Sequence, residues 1–248
     1  MKKTHLIIML AAMVLLAGCK KEKTISLNVL SKSIAVKETY AIPAKCDGPI
    51  TYKSMNEYAA QVTQDGLLTG RHYTGKTTQI VLTSEDDTKS FTVEVAPRST
   101  LYTEPRFDFG HPRSTYSPGL TLVQSSDNAN LYNFSVGGEG TYLMVMFDAA
   151  DKVSGYSILV PIRMKSQLEV FLEDRYEYVG LSDDGYNLYI NALKAADATM
   201  IVGIDYFSSS GWTYWLADYI PYSNKGKGDG SDAEDIRKCL EEFMLSGK

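Results

Sequence analysis

The sequence is poor in the residues that most enzymes and nucleic-acid-binding proteins depend on. Its 248 residues include three Cys, three His and two Trp. Lys and Arg total 25 against 30 Asp and Glu, a net charge of −5, so no surplus of positive charge is available for a nucleic-acid interface. The longest apolar run, residues 6–17, is shorter than the roughly 20 residues that cross a bilayer. These shortages exclude a nucleic-acid-binding protein and a transmembrane helix.

No pattern of catalytic or metal-binding residues occurs. The chain has no HExxH, CxxC or Gly-x-Ser-x-Gly motif, and we therefore predict no metal, no cofactor and no enzyme activity. His72 and His111 are predicted to be exposed loop residues. The acidic pairs Glu173-Asp174 and Asp183-Asp184 are neighbours in sequence, which favours solvent-facing side chains over the two opposed carboxylates of a glycosidase. Cys46 and Cys239 are predicted to stay unpaired.

The N-terminus has the features of an export signal. Lys2 and Lys3 precede the apolar run, which ends in Leu16-Ala17-Gly18-Cys19. This sequence resembles the lipobox of bacterial lipoproteins, and the resemblance implies that residues 1–18 are removed and that Cys19 carries acyl chains. Lys20 in the next position is similar to lipoproteins sent to the outer membrane. We predict a lipid-anchored envelope protein with a polar tether over residues 19–23.

Residues 24–97 predict a small β-sandwich. Seven short apolar or alternating segments are separated by turn signals such as Asp65-Gly66, and residues 91–95 alternate apolar and polar side chains. Residues 33–40, 52–56, 60–70 and 75–83 resemble a bacterial Ig-like domain of group 2, although Lys37 stands where that family usually has Gly and Tyr52 replaces its usual Trp. The resemblance implies a spacer or docking module without catalytic residues.

Residues 98–248 predict a second, acidic and aromatic-rich domain of the α+β class. Strands are predicted at residues 131–136, 141–147, 153–162, 176–181, 186–192, 199–207 and 212–222. Helices are predicted after two capping boxes, Ser166 to Glu169 and Ser231 to Glu234. Residues 100–119 are predicted to be a loop packed over the domain. The expected architecture is an antiparallel sheet with both helices on one face.

The second domain also has signs of an internal duplication. Two strand–turn–strand–helix units align through Val160-Pro161-Ile162 and Ile220-Pro221-Tyr222. Pro161 and Pro221 should lie at strand ends, because proline cannot donate to a β-ladder.

Aromatic residues on one strand are the candidate binding site. Trp212, Tyr214 and Tyr222 share one face of the predicted strand, and Trp215 and Tyr219 share the other. For each ring, packing in the core is the alternative to exposure in a binding patch.

We therefore expect a non-enzymatic recognition or adhesion module on an Ig-like spacer, with a glycan or protein ligand and no nucleic-acid partner. The alternative is a periplasm-facing structural or inhibitory partner of another envelope protein.

Overall fold

Two β-sheet units follow one another along the chain. The computed structural model describes residues 22–181, 185, 187–209 and 211–222. The strands are β1 (Ser26–Leu27), β2 (Ser31–Ala35), β3 (Thr39–Ala41), β4 (Ala44–Lys45), β5 (Thr51–Ser54), β6 (Ala60–Val62), β7 (Leu67–Gly70), β8 (Thr78–Thr83), β9 (Thr88–Ala96), β10 (Leu122–Ser125), β11 (Ala129–Val136), β12 (Glu139–Phe147), β13 (Val153–Pro161), β14 (Glu177–Leu181), β15 (Asn187–Ile190), β16 (Met200–Ser209) and β17 (Trp212–Pro221). The helix α1 spans Lys165–Glu173, and single 3₁₀ turns occur at Arg113–Thr115, Ile162–Met164 and Ala195–Asp197.

The first unit, residues 22–97, is a β-sandwich and is called the sandwich unit below. A four-stranded sheet in the order β2-β9-β8-β5 and a three-stranded sheet in the order β3-β7-β6 enclose one apolar core. The alternation of apolar and polar residues over 91–95 arises because Phe91, Val93 and Val95 face this core and are buried in it. The predicted turn at Asp65-Gly66 is also present, with Gly66 at a φ of +82°.

The second unit, residues 98–222, is one eight-stranded antiparallel sheet with a single described helix and is called the sheet unit. The strand order is β10-β11-β12-β13-β17-β16-β15-β14. Two four-stranded meanders therefore meet through β13 and β17. As predicted, Pro161 and Pro221 end these two strands.

The prediction of an α+β second domain is not supported. The one described helix, α1, buries Leu168, Phe171 and Leu172. Most of the other buried apolar residues of this unit lie on strands of the sheet. The second predicted helix lies outside the described residues. The first capping box does not form either: Met164 is the N-cap and makes no side-chain cap, because the preceding 3₁₀ turn has already brought the chain into helical geometry before Ser166.

The two faces of the sheet have different coverings. One face, called the α1 face, packs against α1 and against Leu101, Tyr102, Phe107 and Tyr116 of the predicted loop. The other, called the second face, carries a separate apolar cluster that includes Met144, Leu159 and Leu216.

These faces show that the tripeptides aligned in the sequence are not equivalent. A two-fold relation between antiparallel neighbours in one sheet keeps each residue on its own face. Val160 belongs to the α1 face, but its aligned partner Ile220 packs on the second face. The topological repeat of two meanders is real, whereas this residue alignment is wrong.

Candidate functional site

Three regions of the molecule are described in turn. The tether end is where the chain enters the sandwich, the joint lies between the two units, and the tip is the end of the sheet opposite the joint. At the tether end, the backbone N–H of Lys23 donates to Asp86 over 2.9 Å and that of Ile25 donates to Asp87 over 2.9 Å. Both acids lie in the turn between β8 and β9. Because β2 and β9 run in parallel away from this turn, the chain leaves the sandwich at the other end, about 30 Å further on at roughly 3.3 Å per residue.

The joint is centred on Asp174, directly after α1. Its carboxylate is fully buried and accepts the backbone N–H of Arg98 over 2.5 Å, Nε of Arg98 over 2.7 Å and the backbone N–H of Ser99 over 2.9 Å. Its carbonyl accepts the N–H of Tyr73 over 2.6 Å. The sequence prediction that Glu173-Asp174 faces solvent is therefore wrong for Asp174, since the connection between the units folds over it.

A histidine and an arginine of the sandwich close the other side of the joint. Nε2 of His72 lies 2.9 Å from Oε2 of Glu177, and Nη2 of Arg71 lies 3.0 Å from the same oxygen. His72 stacks on Tyr58 with ring centroids 4.5 Å apart, and the Tyr58 hydroxyl donates to the carbonyl of Arg175 over 2.5 Å. His72 is only 6% exposed, so its prediction as an exposed residue is wrong. Burial lowers the pKa of His72, against the opposing effect of the Glu177 carboxylate.

Lys37 adds an ion pair to the joint. Its backbone has a φ of +70°, in the left-handed region that favours glycine, and its Nζ lies 2.7 Å from Glu173 of α1. Lysine accepts the strained conformation here and gains a contact with the sheet unit that glycine could not make.

Behind the joint, a buried hydroxyl network ties the loop after Arg98 to the sheet. The hydroxyl of Tyr176 donates to Glu104 over 2.6 Å, and the hydroxyls of Tyr102 and Tyr219 share a hydrogen bond of 2.7 Å. Burial raises the pKa of Glu104 and also that of each of these three tyrosines. Tyr219 is fully buried, so it belongs to the core and not to an exposed binding patch.

The tip is an aromatic cluster at the end of the sheet remote from the joint. Ile190, whose carbonyl is 3.5 Å from the Tyr58 hydroxyl, pairs with Ile201, which pairs with Ile220. Trp212 pairs with Ser209 at the other end of the same ladder. Ile220 and Trp212 are eight residue steps apart on β17, a distance of about 27 Å.

On the second face of the tip, three rings form a continuous aromatic surface. The ring of Trp212 lies 5.8 Å from Tyr142 and 5.9 Å from Tyr214, with the planes tilted by 44° and 35°. Trp212 is 37% exposed, and Tyr142 and Tyr214 are half-buried. Open, tilted rings at this spacing can stack on a flat apolar ligand surface.

On the α1 face of the tip, Trp215 is supported from three sides. Its ring lies 5.1 Å from Tyr206, Lys165 Nζ lies 4.7 Å from its centroid, and its Nε1–H donates to the Ile162 carbonyl over 3.1 Å. Tyr206 is exposed. Trp215 is thus held in one orientation, while Tyr206 is open to solvent.

The predicted aromatic residues therefore divide between three places. Trp212, Tyr214 and Trp215 lie at the tip, Tyr219 lies in the core, and Tyr222 lies at the joint end, where its N–H donates to Thr199 over 2.8 Å. The prediction of which rings share a face is correct for four of them. Trp212 and Tyr214 lie on the second face, and Trp215 and Tyr219 lie on the α1 face. Tyr142 and Tyr206 were missed, since nothing in the local sequence indicates which strands become neighbours of β17.

Other candidate chemistry is limited. Among the described residues, no group of three or more His, Cys, Asp or Glu side chains could hold a metal ion. In the same part of the chain, no helix is long and apolar enough to cross a membrane. Cys46 is free and half-buried, and Cys19, Cys239, Asp183 and Asp184 lie outside the described residues.

No family model and no curated protein match this chain. Among solved structures, domains 5–6 of the S-layer protein SbsC match with 13% identity over 82% of this chain and 86% of that chain, at a TM-score of 0.26. Domains 4–9 of the surface layer protein SbsC match with 12% identity over 82% of this chain and 27% of that chain, at a TM-score of 0.27. TM-scores this low do not establish a shared fold, and no function is inferred from them.

Proposed function

We propose that this protein is a non-enzymatic recognition protein of the cell envelope, anchored by a lipid on Cys19. The sandwich unit acts as an Ig-like spacer, and the tip of the sheet unit binds a glycan or protein ligand. The observation that carries the proposal is the order of the three regions: the tether enters at one end of the sandwich, the joint lies at its other end, and the open rings lie about 27 Å beyond the joint along the sheet.

The contacts of the joint support a fixed spacer. Units joined by a bare linker move freely relative to one another, but here Arg98 and Ser99, the residues between the units, are bound by the buried Asp174. Lys37, Tyr58, Arg71 and His72 add contacts from other loops of the sandwich. A stiff connection holds the tip at a constant distance from the tether.

The chain offers a built-in test of ligand binding, because both of its Trp residues lie at the tip. Titration of the lipid-free protein, residues 24–248, with a glycan and envelope-ligand panel should change its intrinsic fluorescence. Trp212→Ala and Tyr142→Ala should weaken binding by about tenfold or more, as expected for central aromatic contacts. Tyr178→Ala is the matched control, since Tyr178 is exposed but lies on β14 near the joint. Equal affinity in all variants would refute the tip as the binding site.

The second candidate function is a structural or inhibitory partner of another envelope protein. It is favoured by the two edge strands of the sheet, which expose Leu122 and Val123 on β10 and Val179 and Leu181 on β14. Unpaired edges with apolar side chains are surfaces on which a partner strand can dock. A stoichiometric partner recovered from detergent-solubilised membranes, lost in Val179→Lys but kept in Trp212→Ala, would favour this candidate over tip recognition.

The side of the membrane on which the protein acts is open to a separate experiment. Protease treatment of intact cells, followed by detection of the sheet unit, should remove it if the protein is at the cell surface. Protection until the outer membrane is permeabilised would favour the periplasmic partner.

A further inference from the structure

The tip has an open notch beside its aromatic rings. Gly140 precedes Tyr142 by two positions on β12, so both residues face the same side of the sheet, which is the second face. A Cβ placed on Gly140 would meet no atom within 4 Å. Ser135 lies opposite Gly140 in the β11–β12 ladder, and Asn133 lies opposite Tyr142. The floor of the notch is therefore bare backbone, with the Tyr142 ring and two polar side chains around it.

The exposed polar groups around the notch are uncharged. Asn133 and Ser135 are both exposed and alternate in step with Leu131, which belongs to the apolar cluster of the second face. Their amide and hydroxyl groups can donate and accept hydrogen bonds without carrying a charge. Asp205 shares this face, but it is 4% exposed and its carboxylate accepts the N–H of Tyr206 over 2.5 Å. Among the described residues, the open surface beside the rings is thus polar but neutral.

The charged residues at the same end of the sheet lie on its other face. Glu139 directly precedes Gly140 and therefore points to the α1 face, where it pairs with Arg163. Lys165 lies over the ring of Trp215 on that face. A charged ligand at the notch would lose hydration, and the described side chains around it offer no opposite charge in return. The notch therefore favours a neutral ligand.

The open surface is also small. The ring centroids of Tyr142 and Tyr214 lie 5.8 and 5.9 Å from that of Trp212, so the three rings span at most about 12 Å. Further along the same face, Met144 and Leu159 are at most 1% exposed, and the open surface ends there. A stable protein partner buries roughly 800 Å² on each side, which is several times the area of a patch of that width. A surface of this size matches a few sugar units better than a protein partner.

Given the recognition role proposed for the tip, on which this step rests, we propose that its ligand is a neutral glycan, with one sugar ring seated in the notch at Gly140. The C–H faces of a pyranose ring are apolar and pack against the aromatic rings. Its hydroxyl groups exchange hydrogen bonds with Asn133 and Ser135. Trp212 contacts both other rings and forms the centre of the stacking surface.

Calorimetric titration of the lipid-free protein, residues 24–248, tests the class of ligand. The neutral probes are dextran, xyloglucan and galactomannan, and the acidic probes are alginate, polygalacturonate and hyaluronan. At least one neutral polysaccharide should bind, and its affinity should change less than about twofold between about 0.05 and 0.5 M NaCl, because no ion pair is screened. Binding of acidic probes alone would overturn the neutral class, as would the failure of all neutral probes to bind. If Trp212→Ala abolished the binding of an acidic probe or of a protein, the recognition role of the tip would stand and only the neutral class would fall.

Three variants test the seat of the sugar ring. Gly140→Phe fills the notch and should weaken binding of the neutral polysaccharide by about tenfold or more, with an unchanged Tm, since the added ring points into open space. Asn133→Leu removes the amide without adding bulk and should weaken binding several-fold. Glu139→Phe, the matched control, places the same ring on the opposite face of the same strand and should keep the full affinity. Full affinity in Gly140→Phe together with loss in Trp212→Ala would overturn the seat at the notch but not recognition by the tip, whereas full affinity in both would refute the proposed function itself.

Discussion

Removal of the Asp174 carboxylate should open the joint between the units. In the native structure this fully buried group binds three donors from Arg98 and Ser99, at 2.5, 2.7 and 2.9 Å. Asp174→Ala removes the acceptor of those two backbone N–H groups and leaves the Arg98 guanidinium with its longer contact to Glu173, at 3.4 Å. The matched control is Glu169→Gln, since Glu169 lies on the same helix, is half-exposed and forms a long ion pair with Lys165 at 3.6 Å.

The expected magnitude follows from the burial of each partner. Breaking a buried charged pair costs about 3–5 kcal/mol. The Arg98 side chain is 32% exposed and can recover part of its hydration, which favours the lower end, about 3 kcal/mol. For a chain of this size that corresponds to a Tm lower by about 6–12 °C. The control variant should change the free energy of unfolding by less than about 0.5 kcal/mol.

Limited trypsin digestion reports the opening locally, because Arg98 is itself a cleavage site. If opening of the joint precedes cleavage, a loss of about 3 kcal/mol raises the rate at the Arg98–Ser99 bond by about 100-fold. Mass spectrometry separates this bond from other tryptic sites. A cleavage rate and a Tm that match those of Glu169→Gln would refute the account of the joint.

Three further predictions concern the sandwich and its contacts. Lys37→Gly should raise the Tm of the sandwich unit by relieving about 1 kcal/mol of left-handed strain, but it should speed cleavage at Arg98 because the ion pair with Glu173 is lost. Glu173→Gln removes the same ion pair and should speed cleavage without raising the Tm. A lower Tm in Lys37→Gly would contradict the strain argument. Because burial lowers the pKa of His72, the unfolded chain takes up the proton first as the pH falls below about 6.5. The free energy of unfolding, measured by denaturant titration, should therefore decrease from pH 7 to 5.5, and it should decrease less steeply in His72→Gln. The same pH dependence in both proteins would show that His72 is not its cause. Gly70→Ala places a Cβ 2.6 Å from the Ala35 carbonyl oxygen and should cost about 1–3 kcal/mol, whereas Gly140→Ala, which meets nothing within 4 Å, should be neutral by thermal unfolding.

Local patterns in the sequence were sufficient to predict most of the strands. The alternation at Phe91, Val93 and Val95 and the turn at Gly66 depend only on near neighbours, and both occur in the structure. The predicted strands of residues 98–222 lie within a few residues of the observed ones, whereas β10 was not predicted. The α+β class predicted for the second domain is not supported, because the described part of that domain has one helix of nine residues beside a sheet of eight strands.

The buried polar residues of the joint could not be predicted from the sequence. His72 and Asp174 are covered by contacts between residues about 75 to 105 positions apart in the chain, and local hydropathy contains no information on such contacts. The sequence resemblance predicted a glycine at the position of Lys37, and the Lys37 side chain contacts Glu173 in the structure. At the tip, the sequence indicated the rings of β17 but not Tyr142 and Tyr206, because their place beside β17 depends on the order of strands in the sheet.

The most direct test of the proposed spacer is quenching of Trp fluorescence by lipid. The lipid-modified protein is inserted into vesicles that contain brominated acyl chains, and its emission is compared with that in vesicles without bromine. Both Trp residues lie at the tip, beyond a sandwich that is itself about 30 Å long, so we predict the same emission in both kinds of vesicle. Strong quenching by the brominated lipid would place the tip at the membrane and would contradict a spacer that holds the recognition site away from it.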